Sequence, residues 1–142
     1  MGDLADADAR IRSVLARIAQ LADTGDLEEY LTLFTEDAVW GMPDNPAVGM
    51  TANEKKGHAE ILAGAQERRA SGLQGPGTES RHVLTTIAID VESEDRATAR
   101  SYFMFFGSTS TTPTLRTMGQ YDDVLVKGER GWQLARRRIT VG

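Results

Sequence analysis

The first quarter of the chain has the spacing of apolar residues that is typical of amphipathic helices. Over Leu4–Ala22, apolar side chains recur every three or four positions and therefore share one face of a helix. These side chains are Ile11, Val14, Leu15, Ile18, Leu21 and Ala22. Gly25 is suited to end this helix, and Asp26 with Glu29 resembles the capping box that begins a helix over Leu27–Phe34. The pattern predicts two helices that meet at the sequence TGD.

The next part of the chain mixes short apolar runs with turn-forming residues. Ala38–Trp40 is predicted to be a short strand, and a loop rich in Pro, Gly and Asn follows it. This loop has room for a further short strand around Val48–Thr51. A third helix is predicted over roughly Asn53–Ala70, and the sequence SGLQGPGT ends it as a flexible surface loop.

From residue 81 onward the hydrophobic period changes from 3.6 to 2. Four strands are predicted, over Arg81–Val91, Arg96–Ser108, Thr114–Lys127 and Gly131–Val141. Short turns separate them, so consecutive strands are expected to pair in an antiparallel meander. Helices followed by such a sheet predict an α+β domain, with the helices packed on one face of a curved sheet.

Both faces of this sheet are predicted to be apolar. In the first long strand, one face carries Val83, Thr85, Ile87, Ile89 and Val91, and the other carries His82, Leu84, Thr86 and Ala88. In the second, Phe103 and Phe105 alternate with Tyr102, Met104 and Phe106. A sheet that is wet on one side would show clean alternation of apolar and polar residues. We therefore expect a second copy of the chain to cover the outer face in a homodimer.

Composition narrows the possible functions. The 142 residues are 40% hydrophobic and 26% charged, as expected for one globular domain over residues 1–142. A net charge of −5 gives no basic surface for nucleic acid or an anionic membrane. The absence of cysteine excludes disulfides and thiolate chemistry. An acidic N-terminus and the lack of a long apolar run favour a cytoplasmic protein. No metal-ligand spacing, P-loop, GxGxxG or GxSxG motif is present, so no metal or other cofactor is expected.

Two residues stand out as candidates for chemistry. Asp23 lies in the last turn of the first predicted helix, where a carboxylate faces the negative end of the helix dipole. His82 begins a strand that is otherwise rich in Val, Ile, Leu and Thr. If the two side chains meet, the carboxylate fixes the imidazole tautomer and leaves the other ring nitrogen free to accept a proton. The alternatives are a solvated aspartate in a turn and a structural histidine.

Other residues have weaker claims to a functional role. His58 lies among charges and is expected to be exposed to solvent. In the run Arg136–Arg138, an inward-facing Arg137 would bind an anionic or carbonyl group, while the others form a solvated edge. An apolar cavity is predicted from one set of side chains, for which plain core packing is the alternative. The set consists of Trp40, Met42, Met50, Phe103, Phe105 and Met118.

Several stretches together resemble the SnoaL-like proteins of the nuclear-transport-factor-2-like superfamily. They are IRSVLARIAQLADTGDLEEYLTLFTEDAVW, RHVLTTIAIDV, DRATARSYF and GQYDDVLVKGERGWQLARRRITV, which together cover nearly the whole chain. The resemblance implies a cone of three N-terminal helices on a strongly curved, mainly antiparallel sheet. It says less about function, because this superfamily includes dehydratases, isomerases, cyclases, non-catalytic binding proteins and dioxygenase small subunits.

Within that superfamily, the motifs resemble most the branch of hexachlorocyclohexane dehydrochlorinase and scytalone dehydratase. The resemblance implies that Asp23 orients His82 and that His82 abstracts a proton. Trp40 matches a pocket tryptophan of the dehydrochlorinase, and Phe103 and Phe105 match apolar pocket positions. Ile18 stands where the dehydrochlorinase has a polar residue on its first helix, and it is predicted to contact the substrate together with these residues.

These observations lead to two hypotheses of function. The first is a cofactor-free lyase or isomerase that acts on a small apolar, cyclic or aromatic molecule. The alternative is a non-catalytic ligand-binding or accessory protein of the same fold, including a dioxygenase small subunit. In the alternative, Asp23 and His82 would not be hydrogen bonded, or His82 would be closed off from any cavity.

Overall fold

The computed structural model of the protein describes residues 3–49 and 51–142 and contains three α-helices and a six-stranded sheet within them. The helices are α1 (Leu4–Thr24), α2 (Leu27–Leu31) and α3 (Gly57–Ala70). The strands are β1 (Phe34–Met42), β2 (Asn53–Lys56), β3 (Arg81–Val91), β4 (Arg96–Gly107), β5 (Thr114–Gly128) and β6 (Gly131–Val141). None of the described helices is long and apolar enough to cross a membrane.

The capping residues of α1 define its two ends, and its amphipathic pattern defines the face that it buries. The Asp3 side chain caps the first turn by accepting a hydrogen bond from the Ala5 N–H. The predicted apolar stripe faces the core, in which Ile11, Leu15 and Ile18 are buried. Gly25 is the C-cap and donates its N–H to the Leu21 carbonyl. The predicted helix and its cap are confirmed, with α1 extending two residues further than expected.

The strands lie in the order β2-β1-β6-β5-β4-β3, and every pair is antiparallel except β1 with β6. All three helices bury side chains in one core on one face of this sheet, with Tyr30 from α2 and Ile61 from α3 beside the stripe of α1. The predicted α+β architecture and the four-strand meander β3–β6 are confirmed. β3 forms one edge of the sheet. Its first residues contact the last turn of α1, because the His82 N–H donates to Asp23.

The boundaries predicted around β1 are wrong. The second helix ends at Leu31, and Phe34, predicted to be its last residue, begins β1. β1 is also longer than the predicted Ala38–Trp40, because it pairs with β6 on one side and β2 on the other. Hydrogen bonds to two neighbouring strands outweigh the local helical preference of this segment.

The third helix and the strand predicted before it also differ from the structure. Asn53–Lys56, predicted to be the first turn of a helix, forms β2, which pairs with β1 at the edge of the sheet. The predicted strand at 48–51 is absent from the described part of that range, where Pro46–Val48 forms a short 3-10 turn; Met50 lies outside the described residues. Gly57 has φ of +78°, which lets the chain turn from β2 into α3.

A bulge in β3 changes which side chains share a face. The register shifts between Thr85 and Ala88, and Thr86 takes a φ of +52°. Val83 is therefore exposed on the outer face, whereas Ile87 and Ile89 pack against the core on the same side as Leu84. The single row from Val83 to Val91 predicted by strict alternation is wrong, because the extra residue reverses the alternation halfway along the strand.

Candidate active site

Asp23 and His82 form a hydrogen-bonded pair between the end of α1 and the start of β3. His82 Nδ1 lies 2.7 Å from Asp23 Oδ1, and the His82 main-chain N–H donates to Asp23 Oδ2 at 2.9 Å. Asp23 is only 4% exposed, so both of its oxygens are fixed within the protein. When the ring is neutral, this geometry places its proton on Nδ1 and leaves a lone pair on Nε2. Nε2 has no hydrogen-bond partner within residues 3–49 and 51–142.

Arg69 of α3 compensates for the position of Asp23 at the negative end of α1. Its Nη2 donates to the carbonyl oxygens of Leu21, Ala22 and Gly25 at 2.9, 3.3 and 2.8 Å. A guanidinium on the free carbonyls of a helix end stabilises that end, as the helix dipole requires. Arg69 therefore holds the turn that carries Asp23 in place.

An apolar cleft of 200 Å³, here called the outer cleft, opens beside His82. Apart from His82 and Arg68, it is lined mainly by Trp40, Met42, Leu73, Phe103, Phe105 and Ile139. The Phe105 ring centroid lies 4.6 Å from that of His82, and Phe103 stacks on Tyr121 at 4.5 Å. A small ring could therefore bind in the outer cleft against aromatic side chains, with the imidazole at its edge.

A smaller space of 30 Å³, here called the inner chamber, lies deeper in the protein. It shares Trp40, Arg68, Gln74, His82 and Tyr121 with the outer cleft. Its other walls are Ile18, Ala19, Ala22, Tyr30 and Arg137. The inner chamber thus adjoins the outer cleft, and its walls combine apolar side chains with the polar side chains of Tyr30 and Arg137.

Two tyrosines, Tyr30 and Tyr121, lie on the wall of the inner chamber. Tyr30 is fully buried, and its hydroxyl has no hydrogen-bond partner among the described residues. Burial raises the pKa of Tyr30, and it raises the pKa of Tyr121 to about 12. Both phenols therefore keep their protons at neutral pH and are available as hydrogen-bond donors.

Arg137 faces inward, as its predicted substrate-binding role requires, but its guanidinium is already paired. Its Nε and Nη2 donate to the two oxygens of buried Asp123 at 2.8 and 2.9 Å, and the guanidinium lies 3.8 Å from the Tyr121 ring centroid. Burial lowers the pKa of Arg137, but Asp123 raises it to a net value above the ordinary one.

In the same ion pair, the pKa of the Asp123 carboxyl is also above its ordinary value. Burial raises the pKa of Asp123 more than Arg137 lowers it. We take the pair as ionised, because two parallel N–H···O bonds of this length are the geometry of a guanidinium with a carboxylate. Arg137 thus shapes the wall of the inner chamber while Asp123 balances its charge.

The structure brings most of the predicted site residues together. Trp40, Met42, Phe103 and Phe105 line the outer cleft beside His82, and Ile18 and Arg137 line the inner chamber. The roles of these residues toward a substrate stay predictions.

Three residues named from the sequence do not belong to this group. Met118, predicted to line the cavity, is 46% exposed on the outer face, where it pairs with Met104 of the neighbouring strand. Met50 lies outside the described residues. His58, predicted to be solvent-exposed, is half-buried, with Nε2 3.0 Å from the Phe34 carbonyl oxygen. This bond ties the start of α3 to β1.

Sequence reasoning missed four residues, besides Thr117, that bring polar side chains to the walls of the two cavities. They are Tyr30, Arg68, Gln74 and Tyr121. Tyr30 follows the apolar spacing of its helix, and Arg68 sits in a charged run, so each resembles an ordinary core or surface position. Only the packing of α2 and α3 against the sheet reveals that they face the same space.

The groove beside the start of α1 lacks comparable chemistry. A groove of 530 Å³ lies between the start of α1 and the β3–β4 turn and is lined by Leu4, Val91, Glu92 and Lys127, among others. It is larger than the outer cleft but contains no buried pair of titratable groups. Within residues 3–49 and 51–142, no cluster of three or more His, Asp or Glu side chains has the arrangement of a metal site.

Comparison with known proteins places this architecture in a family. The model of the SnoaL-like domain matches residues 3–138. A search of curated proteins found no significant match.

Solved structures with the same fold span nearly the whole chain. A protein of unknown function with a cystatin-like fold from Nostoc punctiforme is 22% identical, with a TM-score of 0.82, over 100% of this chain and 96% of its own. ActVI-ORFA from Streptomyces coelicolor is 25% identical, with a TM-score of 0.71, over 94% and 95%. A candidate scytalone dehydratase from Novosphingobium aromaticivorans is 20% identical, with a TM-score of 0.71, over 98% and 89%. At these identities the first and the last show a shared fold only.

Proposed function

Because this chain belongs to the SnoaL-like domain family, we propose that it is a cofactor-free lyase or isomerase of the dehydratase type. Its substrate would be a small apolar molecule, cyclic or aromatic, with an acidic C–H bond. The observation that carries this proposal is the 2.7 Å bond between Asp23 and His82 at the wall of an apolar cleft. The candidate scytalone dehydratase with the same fold is consistent with it but does not extend its activity to this chain.

The proposed reaction begins with proton transfer to His82. Asp23 holds the Nδ1–H, so Nε2 accepts the proton from a carbon next to an activating group. The C–H electron pair moves into the new double bond as the activating group takes up charge. In a lyase, a leaving group then departs from the neighbouring carbon; in an isomerase, the imidazolium returns the proton to a different carbon. Asp23 stabilises the imidazolium in both cases.

The apolar walls of the outer cleft have a part in this chemistry. Phe103 and Phe105 would exclude water from the space beside the imidazole and place the substrate ring against it. The hydrogen bond to Asp23 and the position of His82 on the cleft support this proposal over the non-catalytic alternative. In that alternative the pair would be broken or His82 would be closed off.

Deuterium incorporation tests the proposal without requiring the natural substrate. The protein would be incubated in D₂O with a panel of cyclic and aromatic ketones, and exchange at the α-carbon followed by NMR. We expect the wild type to accelerate exchange for some members and His82→Ala to lose this acceleration, on the order of 10²- to 10⁴-fold. His58→Gln is the matched control and should retain it. Acceleration that survives in His82→Ala would refute the proposed base.

We also propose that a second copy of the chain covers the outer face of the sheet. There, Val83, Met104 and Met118 form a continuous apolar row across β3, β4 and β5. Of the charges on this face, Arg100 and Asp122 neutralise each other in an ion pair of 2.8 Å, and Arg81 lies at the end of the row, two residues before Val83. A two-fold axis through such a row would bring each apolar patch onto its equivalent.

A further inference from the structure

The loop at 71–80, which connects α3 to β3, packs against the protein although its sequence is typical of a surface loop. Gln74 is 5% exposed, Ser80 is 6% exposed, and Gly75 is buried as well. Leu73 and Gln74 line the outer cleft, and His82 follows the loop by two residues. The loop therefore contacts the proposed site from two sides of Gly75.

Gly75 packs directly on the aliphatic stem of the Arg69 side chain. A Cβ atom at position 75 would lie 2.6 Å from Arg69 Cγ, 3.0 Å from Cδ and 3.1 Å from Nε. All three distances are shorter than ordinary van der Waals contact, so only a residue without a side chain leaves room for this stem. Gly75 also has φ of +107°, a conformation that glycine adopts without a steric cost.

Neither partner of this contact is free to move away from the other. Arg69 Nη2 donates to three carbonyl oxygens at the end of α1, and its Nε is buried without a hydrogen-bond partner among the described residues. The Gly75 carbonyl accepts two hydrogen bonds from Thr78, from its N–H at 3.2 Å and from its hydroxyl at 2.6 Å. The Thr78 hydroxyl oxygen also lies 2.6 Å from that of buried Ser80. The loop is thus fixed against Arg69.

We propose that Gly75 is a positioning residue of the His82–Asp23 pair and acts through Arg69. By leaving room for the Arg69 stem, it lets the guanidinium reach the carbonyl groups of the turn that carries Asp23. Both Asp23 oxygens then stay on the N–H groups of His82. The inference rests on the proposed function and adds to it a residue that lines neither cavity.

A methyl group at position 75 would displace the Arg69 stem and withdraw its guanidinium from the end of α1. The Asp23 carboxylate would then face the free carbonyl groups of its own helix and lose its fixed orientation. Without that carboxylate, the His82 ring is no longer restricted to the tautomer with its proton on Nδ1. Proton transfer to Nε2 becomes slower, because a fraction of the rings already has its proton there.

NMR of the ¹⁵N-labelled imidazole tests this role without a substrate. His58→Gln is the parent protein for all variants, because the chain has two histidines and the spectrum then contains His82 alone. At alkaline pH, where imidazole is neutral, we expect the Nδ1–H tautomer in the parent and a mixture of both tautomers in Gly75→Ala. The α-carbon exchange rate of Gly75→Ala should fall on the order of 10- to 10²-fold.

Gly77→Ala is the matched control for backbone strain. Gly77 belongs to the same loop and has φ of +83°, but a Cβ atom there would meet nothing within 4 Å. This variant should keep the tautomer and the exchange rate of the parent. The same losses in Gly77→Ala as in Gly75→Ala would overturn the proposal, because strain in the loop would then explain both.

A double variant tests whether Gly75 acts through Arg69. Arg69→Ala removes the Cγ, Cδ and Nε atoms that the new methyl group would meet. Adding Gly75→Ala to Arg69→Ala should therefore slow the exchange no further. A further loss in the double variant would contradict the proposed route, as would a parent-like tautomer and exchange rate in Gly75→Ala alone.

Thr78→Val provides the test if Gly75→Ala does not fold. It keeps the glycine but removes the hydroxyl that donates to the Gly75 carbonyl. We expect both tautomers to be populated and the exchange rate to fall, though less than in Gly75→Ala. A single tautomer together with the parent exchange rate in Thr78→Val would then refute the role of Gly75.

Failure of this inference can be told apart from failure of the proposed function. If His82→Ala loses α-carbon exchange while Gly75→Ala keeps a single tautomer and the parent rate, only the role of Gly75 is wrong. If His82→Ala exchanges as the parent does, the proposed function is wrong, whatever the NMR spectra show.

Discussion

At the scale of single residues, Asp23 is placed where a helix end disfavours a carboxylate, and its neighbours compensate for that position. Two N–H groups of His82 are directed at its oxygens, and Arg69 binds the carbonyl groups of the same turn. The aspartate is thus pre-oriented before any ligand binds. Such pre-orientation is what a general base needs from its partner.

Replacing Arg69 tests this compensation. Arg69→Met keeps the apolar part of the side chain but removes the hydrogen bonds to three carbonyl groups at the end of α1. We expect the free energy of unfolding, measured in urea, to fall by about 2 kcal/mol or more. The α-carbon exchange rate should fall as well, because Asp23 loses its fixed position. The exposed Arg17→Met should stay within about 0.5 kcal/mol of the wild type; equal stability of the two variants would count against this role.

Some of the site could be predicted at the residue scale, and some could not. Asp23 and His82 were identifiable because each is unusual where it stands: a carboxylate at a helix end and an imidazole in an apolar strand. Tyr30 and Arg68 are ordinary where they stand, in an apolar helical stripe and in a charged helical run. Their special property is the space they face, which only the tertiary packing determines.

At the scale of elements, the long strands were predictable in extent but not in orientation. β3 and β6 begin and end at the predicted residues, because turn residues and the period of 2 define them. The bulge at Thr86 reverses the faces of β3, and a second shift near Ala135 does the same in β6. After that shift, Arg137 points inward, although strict alternation from buried Leu134 would have placed Arg136 there. The alternation of apolar and polar residues does not predict where a β-bulge occurs.

The short elements were the least predictable. Asn53–Lys56 has residues that favour helix and turn, yet it forms an edge strand because β1 offers it a partner. Phe34 has the spacing of a helical residue, yet it begins β1 and lies with its ring centroid 4.9 Å from that of Tyr30. In both places contacts distant in sequence outweigh local preference, which sequence reasoning weighs most heavily.

At the scale of the whole molecule, the outer face of the sheet carries four of the six large hydrophobic side chains that are exposed among the described residues. Besides the row of Val83, Met104 and Met118, it exposes Tyr102 and Leu115. In a monomer these apolar side chains would be exposed to water, which has a cost in free energy. Burial against a second copy of the chain would remove this cost. The proposed dimer follows from this cost.

A charge placed in the middle of the row tests the dimer. We expect sedimentation velocity to find the wild type as a dimer and Val83→Glu as a monomer, because two buried carboxylates would face each other near the two-fold axis. Ala16→Glu adds the same charge on an exposed position of α1 and should leave the dimer intact. A wild type that is monomeric at every concentration would refute the proposal, as would a dimer that persists in Val83→Glu.

The whole fold is also what joins the end of α1 to the start of β3, 59 positions later in the chain. The central claim is that these two residues act as one unit, with Asp23 as orienter and His82 as base. The most direct test is a double-mutant cycle of Asp23→Asn and His82→Ala in the α-carbon exchange assay. We predict that Asp23→Asn loses on the order of 10²-fold or more, and that the double variant is no slower than His82→Ala alone. A rate in Asp23→Asn equal to that of the wild type, with the fold intact, would contradict the claim.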